Sequence, residues 1–279
     1  MHPVSLGKLF IVATPIGNLE DITYRAISTL QQVDVVAAED TRHSQKLLQH
    51  YAISTPMMSL HDHNEKQRAS HLIEKLKSGA SIALISDAGT PLISDPGYHL
   101  VNLCRQEGID VVPIPGASAV ITAMCASGLA TDQFSFRGFL PVKQVAKQQA
   151  LEVLADEIAT CVFYESPRRV EDTLTVIRDL YPDRHIVIAK ELTKQYETFV
   201  SGTAQDGLDW LAEDPAHSKG EFVLLIAGAD KGEQDIPAEA LSLLTVLAEE
   251  MPLKKAAAVV AKHYDLKKNQ LYQIGLSMK

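Results

Sequence analysis

The first 115 residues alternate between short strand-like runs and helical segments, and this alternation limits the possible fold more than any other feature. The runs are rich in Val and Ile and almost without charge: KLFIVA, VDVVAA, PMMSL, SIALIS and DVVPIP. The segments between them, such as EKQRASHLIEKLKSG and YHLVNLCRQEG, carry apolar residues at helical spacing. Strands that alternate with helices predict a parallel, doubly wound sheet that is covered on both faces. We therefore expect an N-terminal α/β domain over residues 1–120.

The pattern changes after PGASAVITAMCASGL, a helix that is rich in small residues. The strand-like runs FSFRGFL, ATCVFYES, HIVIAKEL, ETFVSGTA and GEFVLLIAG follow, with fewer helices between them. They predict a mixed or antiparallel sheet in a second α+β domain over residues 121–229. A polar, acidic linker then leads to an all-helical segment, which we expect to form a small C-terminal module over residues 237–279. The predicted fold class is therefore α/β, with two α/β domains and a helical module.

The loop SDAGTPLISDPG (residues 86–97) joins a buried strand to a helix and is unusually long for that task. Connections in α/β units need about 2–6 residues. Extra length at the carboxyl end of a parallel strand is where open α/β sheets bind ligands. The alternative is an ordinary turn that needs its glycines for backbone geometry. Its length and density of turns favour a ligand site.

Four further loops fall at strand ends: TPIGNLED (14–21), AEDTR (38–42), PIPGASA (113–119) and FYESPRR (163–169). The first has a single glycine, so it is not a dinucleotide-binding fingerprint. In the second, an exposed helix cap would explain Asp40 but not the acidic pair beside an arginine. In the third, Pro115-Gly116 would let a ligand approach the backbone closely. The fourth, FYESPRR, ends a strand of the second domain in the same way.

HDHNE (61–65) invites a metal interpretation, because His61 and His63 would share a face if they lay on a strand. No third His or Cys follows at ligand spacing, and no HExxH motif is present. A polar loop or a substrate-facing site is the favoured alternative. We therefore expect no metal site.

The cysteines and the apolar runs bear on the compartment. Cys104, Cys125 and Cys161 are odd in number and lie among apolar neighbours, which predicts buried thiols in a reducing cytoplasm. The longest apolar runs have only strand length, so we expect no membrane span. The N-terminus lacks the basic start and long apolar stretch of a secretion signal.

The charge is unevenly distributed. The chain carries a formal net charge of −9, but residues 251–279 hold six lysines against one aspartate, a formal +5. Apolar positions there fit two short helices around a tight YDL connection, a helix-turn-helix shape. The lysines could contact phosphates of a nucleic acid. A solvated helical cap on the preceding domain is the alternative.

These motifs together resemble one family. TPIGNLEDIT, AEDTR, HDHNE, SDAGTPLISDPG, PGASA, FYESPRR, KELTK and KGEFVLLI, in this order and spacing, are similar to the bacterial small-subunit ribosomal RNA 2'-O-ribose cytidine methyltransferases. That family lies within the tetrapyrrole methylase (class III methyltransferase) superfamily, and the resemblance covers essentially the full chain. One departure from the superfamily is that TPIGN is poorer in glycine than the corresponding loop of the porphyrin enzymes.

The resemblance implies a homodimer that binds S-adenosylmethionine in a cleft between the two α/β domains and acts on small-subunit ribosomal RNA. The implied cofactor contacts come from the strand-end loops: Pro15, Gly17, Asp87, Ala88, Gly89, Thr90, Asp95, Pro115, Gly116, Ala117, Ser118, Tyr164 and Glu165. A ribose hydroxyl must also lose a proton, which requires a base or a positive group nearby. The candidates for this role are Glu39, Asp40, His63, Lys190 and Glu191. The candidate RNA contacts are Arg42, Lys254, Lys255, Lys267 and Lys268.

Two other functions remain as alternatives. A tetrapyrrole or protein methyltransferase of the same superfamily would have the same loops, but a porphyrin substrate needs no lysine-rich module. A non-catalytic nucleic-acid-binding regulator could be built around the helix-turn-helix, but it would not need so many ligand-facing turns.

Overall fold

The computed structural model describes residues 6–61, 64–229, 236–264 and 266–277, in two compact units formed by residues 1–228 and 229–279. The first unit contains two five-stranded sheets with helices packed against them. The second unit is helical in its described part. The predicted fold class is confirmed.

The first sheet is entirely parallel and has the strand order β3-β2-β4-β1-β5. Its strands are β1 (Lys8–Val12), β2 (Val35–Ala38), β3 (Met57–Ser59), β4 (Ile82–Ile85) and β5 (Asp110–Ile114). The helices between them are α1 (Tyr24–Gln32), α2 (Thr41–His50), α3 (Glu65–Lys77) and α4 (Tyr98–Gln106). All four residues of β4 are buried, as an apolar run covered on both faces requires.

The order of the strands creates a switch point between β1 and β4. The chain leaves β1 toward β2 on one side, and it leaves β4 toward β5 on the other. The helices α1 and α4 accordingly pack against opposite faces of the sheet, in two separate apolar cores. Ligands of open α/β sheets bind outside the carboxyl ends of the strands at such a point. The loops 13–18 and 86–97 both start there.

The second sheet is mixed and has the strand order β6-β7-β10-β8-β9. Its strands are β6 (Phe134–Phe139), β7 (Thr160–Glu165), β8 (Ile186–Lys190), β9 (Thr198–Gly202) and β10 (Phe222–Ile226). Only the β6–β7 pair is parallel among these strands, and the other three pairings are antiparallel. The helices are α5 (Ala119–Ser127), α6 (Gln144–Glu152), α7 (Val170–Leu180) and α8 (Ala204–Glu213).

Helix α5 joins the two sheets. It follows β5 of the first sheet, but Val120, Ala123 and Met124 pack against one face of the second sheet. The other face of the second sheet packs against α7 and α8 through Leu174, Ala204 and neighbouring apolar residues. Each strand of this sheet therefore sends alternate side chains into two different environments.

The second unit contains α9 (Ala238–Glu250), α10 (Leu253–Tyr264) and α11 (Lys268–Ser277). A core of small and branched apolar residues holds them together, and Gly275 lets α11 approach the Leu253 side chain closely. The predicted helical module is confirmed, with the two short helices at α10 and α11. Four lysines, which we call the tail lysines, are exposed on these helices and their connection: Lys254, Lys255, Lys267 and Lys268.

One prediction about the cysteines is wrong. Cys104 and Cys161 are buried, but Cys125 is exposed. Cys125 lies on the outward face of α5, and its thiol donates to the Thr122 carbonyl one turn earlier, at 3.2 Å. Within the described ranges, no helix is both long enough and apolar enough to cross a bilayer.

Candidate active site

Three strand-end loops of the first sheet are tied to one another by hydrogen bonds, and a fourth joins them. Thr14 and Gly89 exchange backbone hydrogen bonds of 2.9 and 3.0 Å across the switch point. The Thr90 hydroxyl donates to the Ala117 carbonyl at 3.0 Å. The Asp87 carboxylate accepts the backbone N–H of Asp40 at 3.0 Å. The loops after β1, β2, β4 and β5 therefore form one connected rim.

Two glycines are required by the geometry of this rim. Gly89 has a φ of +78°, and a Cβ there would lie 3.2 Å from the Ile16 Cγ2 atom. Gly116 has no room for a side chain, because a Cβ would lie 2.8 Å from that of Ala13. Because neither glycine has a side chain, the loops can pack in close contact.

A cavity of about 420 Å³ opens at this rim and is closed by residues of the second sheet. This volume lies within the usual range for small-ligand sites, roughly 300–1,000 Å³. The first sheet and α5 contribute Ile16, Glu39, Asp87, Ala88, Ser94, Asp95 and Ala119. The second sheet and its loops contribute Phe139, Tyr164, Glu165, Ser166, Pro167, Leu192, Glu221, Phe222 and Val223. We call this space the first cavity.

The charges of the first cavity fit the ligand that the sequence resemblance implies. Glu39, Asp87, Asp95 and Glu221 supply carboxylates to its lining, whereas Glu165 turns its carboxylate to the other face of the second sheet. None of its described lining residues is Lys, Arg or His. S-adenosylmethionine carries a sulfonium, an ammonium and a carboxylate, and such a wall attracts the two cationic groups. The apolar lining residues Ile16, Leu192 and Val223 suit the rest of the ligand. The residues present therefore fit this cofactor.

Aromatic rings form one side of the first cavity. The Tyr164 ring lies 4.8 Å from that of Phe136 and 5.6 Å from that of Phe139, centroid to centroid. Burial, together with the negative charge of Asp95, raises the pKa of Tyr164 to about 12. The phenol is therefore protonated at neutral pH and can donate a hydrogen bond.

Glu165 lies beside Tyr164 on β7, but its side chain has a different role. It pairs with Phe222, on the face of the sheet that packs against α7. Its carboxylate accepts from the Ser166 N–H and the Thr173 hydroxyl, each at 2.8 Å, and forms an ion pair with Arg169. Glu165 therefore holds the loop after β7 in place.

The HDHNE segment places its described residues around helix termini. Glu65 is 5% exposed, and its Oε1 atom accepts the N–H groups of Gly97, His99 and Leu100 at the start of α4. The His61 ring contacts the Asn64 amide at 3.0 Å. Glu65 thus anchors the end of the 86–97 loop. In the described part of the chain, no group of three His, Cys, Asp or Glu residues is placed to hold a metal ion. His63 lies outside the described residues.

The KELTK loop meets the first loop of the chain. The Asn18 N–H donates to the Thr193 hydroxyl at 3.0 Å, and a Cβ on Gly17 would lie 2.5 Å from the Lys194 side chain. Gly17 is therefore the point where the loop after β1 packs against the loop after β8.

Glu191 is held by ionic and backbone contacts. Its Oε1 atom accepts from Lys194 Nζ at 2.8 Å and from the Glu221 N–H at 2.9 Å. Burial opposes ionisation, but these two hydrogen bonds outweigh it and hold the pKa of Glu191 below its usual value. A carboxylate stabilised in this way is a weak proton acceptor.

Two other catalytic candidates are engaged elsewhere. Lys190 is 6% exposed and shares the α7 face of the sheet with its pairing partner Phe222; its Nζ donates to the Ala216 carbonyl at 3.0 Å. The structure therefore does not bring Lys190 to the first cavity. Asp40 caps α2 and pairs with Arg42, whose backbone and side-chain N–H groups lower the pKa of Asp40.

A second cavity, of about 380 Å³, adjoins the first. The two share Ile16, Asp87, Ala88 and Glu221 as walls. The other residues that line the second cavity are Thr14, Pro15, Gly17, Leu19, His43, Ser44, Lys46, Leu47, Ser86 and Lys194. Unlike the first cavity, the second has cationic side chains in its wall.

The predicted cofactor residues therefore separate into three groups. Asp87, Ala88, Asp95, Tyr164 and Glu165 line the first cavity, whereas Pro15 and Gly17 line the second. The remaining ones connect or cap the loops: Gly89, Thr90, Pro115, Gly116, Ala117 and Ser118.

Sequence reasoning missed the lining residues of the second sheet, chiefly Phe139, Leu192 and Val223. It also missed His43, Ser44 and Lys46 on α2, although they directly follow the AEDTR motif. One sequence signal could have identified them. Residues 43 and 47 follow the motif at helical spacing, so they lie on the same face of the helix that begins there.

Comparison with known families gives two matches that together span most of the chain. Residues 8–207 match the family model described as tetrapyrrole (corrin/porphyrin) methylases. Residues 234–279 match the model described as the RsmI C-terminal HTH domain.

Curated relatives match over nearly their whole length. The chain is 56% identical over 274 residues to the ribosomal RNA small subunit methyltransferase I of Haemophilus influenzae, and the matched region covers 97% of each chain. It is 51% identical over 273 residues to the Escherichia coli O157:H7 protein of the same name, covering 98% of this chain and 96% of that one.

Solved structures share the fold at low sequence identity. Diphthine synthase superposes with a TM-score of 0.60 at 14% identity, over 80% of this chain and 90% of that one. Cobalt precorrin-4 methyltransferase gives a TM-score of 0.55 at 19% identity, over 79% of this chain and 94% of that one. Uroporphyrin-III C-methyl transferase from Thermus thermophilus, complexed with S-adenyl homocysteine, gives 0.55 at 15% identity, with 79% and 97% covered. At these identities the similarity shows the fold alone.

Proposed function

The chain belongs to the tetrapyrrole methylase family, and from this premise we propose that it methylates the RNA of the small ribosomal subunit at the 2'-hydroxyl of a cytidine. It is a methyltransferase, and its methyl donor is S-adenosylmethionine. The observation that carries the proposal is the first cavity, which has carboxylates and no cationic side chain in its described lining. The similarity of the chain to ribosomal RNA methyltransferases indicates the class of substrate.

The residues that would hold the donor come from both sheets. Asp87 and Asp95 would face its positive groups, and Ile16, Leu192 and Val223 would contact its apolar parts. The Phe139 and Tyr164 rings offer a surface for its base. When bound, S-adenosylmethionine supplies a methyl group that is already strongly electrophilic. The chain must therefore align the acceptor and take up one proton.

Among the candidates that the structure describes, Glu39 is the best-supported proton acceptor. It follows β2 directly and lines the first cavity. Asp40 and Glu191 are ion-paired, with pKa values held below their usual range, and Lys190 faces away from the cavity. Glu39 would accept the proton of the 2'-hydroxyl as the oxygen attacks. Asp87, whose Oδ1 atom accepts the Asp40 N–H, would hold the two loops in register.

The second unit would contribute affinity for RNA. Its residues match the family model described as the RsmI C-terminal HTH domain. The tail lysines on this unit are exposed, and so is Arg42 on α2 of the first unit. Lysines that neutralise phosphates release counterions and so strengthen binding without reading the sequence. A porphyrin substrate would not require such a module.

A homodimer and a cytoplasmic location are further parts of the proposal. Apolar side chains that follow β6 are unusually exposed: Val142 by 80% and Val145 by 69%. A second copy of the chain would cover them, and sedimentation equilibrium would give the mass of the assembly. Ribosomal RNA as substrate requires access to ribosome assembly, which in bacteria takes place in the cytoplasm.

The proposal is tested by methyl transfer to small ribosomal subunits that lack the modification. Purified enzyme, labelled S-adenosylmethionine and such subunits should give label in the RNA, and digestion to nucleosides should yield 2'-O-methylcytidine by mass spectrometry. Label in subunit protein, in another nucleoside or only in an added tetrapyrrole would contradict the proposed substrate.

Two variants connect the activity to the site. Glu39→Gln should lower kcat about 100-fold or more, which is the contribution typical of general base catalysis. Its melting temperature should stay close to that of the wild type. Glu20→Gln, an exposed carboxylate outside both cavities, is the matched control and should retain full activity. A Glu39→Gln enzyme with unchanged kcat would exclude Glu39 as the base.

A further inference from the structure

We propose that the second cavity binds the ribose 3'-phosphate of the target nucleotide, with Lys46 as its cationic ligand and His43 and Ser44 as hydrogen-bonding groups. This inference rests on the proposed function and specifies where its substrate lies. It assigns a role to three residues of α2 that no sequence motif marked.

The charge of the second cavity is the first observation. Lys46 and His43 are exposed and line it, and neither has an ion pair with a residue in the described part of the chain. Lys194 also lines it, but its ammonium forms ion pairs with Glu191 at 2.8 Å and Glu221 at 2.9 Å. The ammonium that remains for a ligand is therefore that of Lys46, with the His43 ring on the same helix as a hydrogen-bonding group. A phosphate suits a lysine that is accompanied by hydrogen-bonding side chains.

The second observation is an unsatisfied hydroxyl. Ser44 is 3% exposed and lines the cavity, and its Oγ atom has no hydrogen-bond partner in the described protein. Buried polar atoms are paired in the great majority of cases, so this hydroxyl has a hydrogen bond left to make to a bound group or a water. The N-terminus of α2 is already capped by the Asp40 side chain. Recognition must therefore come from the side chains of this helix.

The connection between the cavities is the third observation. The first cavity has carboxylates and no cation in its described lining, whereas the second adds Lys46 and Lys194 to the shared Asp87 and Glu221; the two meet at Asp87 and Ala88. A sulfonium donor therefore fits the first cavity, and a phosphate ester fits the side of the second that α2 lines. In a ribose, the 2'-hydroxyl and the 3'-phosphate are on adjacent carbons. A phosphate bound at α2 would thus direct the 2'-hydroxyl toward the wall and toward Glu39.

Direct binding of a small nucleotide tests this assignment without requiring turnover. Cytidine 3'-monophosphate is titrated into the enzyme in the presence of S-adenosylhomocysteine, and the wild type should bind it more tightly than cytidine. Lys46→Gln should weaken this binding about tenfold, the reduction expected for one charge-assisted hydrogen bond. Lys46→Arg should restore most of it, and Ser44→Ala should weaken it by a smaller factor.

The matched control is Lys66→Gln, an exposed lysine on α3 that lines neither cavity. It should bind the nucleotide as the wild type does. Inorganic phosphate is titrated in parallel: competition with the nucleotide places the phosphate, rather than the base, at α2. Equal affinity of wild type and Lys46→Gln for the nucleotide, or no binding by the wild type, would overturn the inference.

Turnover distinguishes this inference from the proposed function. With small subunits as substrate, Lys46→Gln should raise KM about tenfold, while the affinity for S-adenosylhomocysteine stays unchanged. If the wild type methylates the subunits and Lys46→Gln has the same KM, the nucleotide does not use α2, although the function stands. If the wild type methylates no RNA, the proposed function fails and the titration alone decides the phosphate site.

Discussion

Replacing Glu65 should destabilise the first unit and weaken cofactor binding, although the residue lines neither cavity. Its buried carboxylate accepts two short hydrogen bonds, from Gly97 at 3.1 Å and His99 at 2.8 Å, and a longer one from Leu100. It stands at the N-terminus of α4, where a negative charge is favoured by the helix dipole. The same contacts position the end of the 86–97 loop, which carries Asp95.

The size of the effect follows from these bonds. A hydrogen bond to a charged group contributes about 1.5–3 kcal/mol, and a buried N–H without a partner costs about 1–3 kcal/mol. Glu65→Ala removes the acceptor and should lower the free energy of unfolding by about 3–5 kcal/mol. For a unit of this size, that corresponds to a fall in Tm of roughly 10 °C. Glu65→Gln keeps an oxygen but loses the charge, and should cost about 1–2 kcal/mol.

The assay can be confined to the first unit. The chain has one tryptophan, Trp210, which packs against the core of the second sheet. Urea titration followed by its fluorescence therefore gives the unfolding free energy of residues 1–228. Calorimetry with S-adenosylhomocysteine gives the affinity of the first cavity, which should fall severalfold in Glu65→Gln under conditions where it is folded.

The control for Glu65 is Glu74→Gln, on the exposed side of the same helix α3. It should change the unfolding free energy by less than about 0.5 kcal/mol. If Glu65→Ala were as stable as Glu74→Gln, the carboxylate would not be anchoring α4. If Glu65→Ala were destabilised but bound S-adenosylhomocysteine normally, the link between this anchor and the first cavity would be wrong.

Three further predictions concern the same rim, the Glu191 carboxylate and the tail. Gly89→Ala should cost about 1–2 kcal/mol because of its positive φ, and calorimetry should also show weaker binding of S-adenosylhomocysteine; Gly108→Ala, at φ +69° with open space around it, should be less stable with unchanged affinity. Glu191→Gln should be less stable than the wild type at neutral pH, and urea titrations should show the difference shrinking as the pH falls below the ordinary value of 4.5, because the lowered pKa stabilises the folded state only while the carboxylate is ionised. Neutralising the tail lysines should reduce the slope of log affinity for RNA against log salt by about 0.7–0.9 for each phosphate that the variant no longer neutralises, with an unchanged Tm; a normal slope would exclude the tail from RNA binding.

The strands and helices of the first unit were predictable because each pattern is local. The four residues of β4, IALI, are apolar throughout, and a buried parallel strand leaves no polar face. The clustering of the strand-end loops followed from topology, since parallel strands end at one edge of the sheet. The position of Asp87 and Ala88 at the first cavity is a consequence of that rule.

The sequence did not predict which residue of each motif lines the cavity and which one packs on the other face of the sheet. Tyr164 and Glu165 are adjacent, and strand alternation says only that they face opposite sides. Which side chain points into the first cavity depends on α5 packing against the Tyr164 face, a tertiary fact. The same alternation puts Lys190 on the α7 face, although it sits in a motif at a strand end. Phe139, Leu192 and Val223 carry no motif, because an apolar wall is recognisable only once it is folded.

The net charge of −9 does not conflict with an RNA substrate, because interactions of exposed charges are local in salt. At physiological ionic strength the screening length is about 8 Å, so most surface acids act only on their own neighbourhood. What matters is the charge where a phosphate can bind. The first cavity concentrates carboxylates where a cationic donor fits, and α2 presents Lys46 and His43 in the wall beside it. The tail lysines are exposed on the second unit. An acidic chain can thus repel RNA weakly over most of its surface and still bind it at the few places that the reaction needs. Such a charge distribution favours the correctly placed complex over non-specific binding.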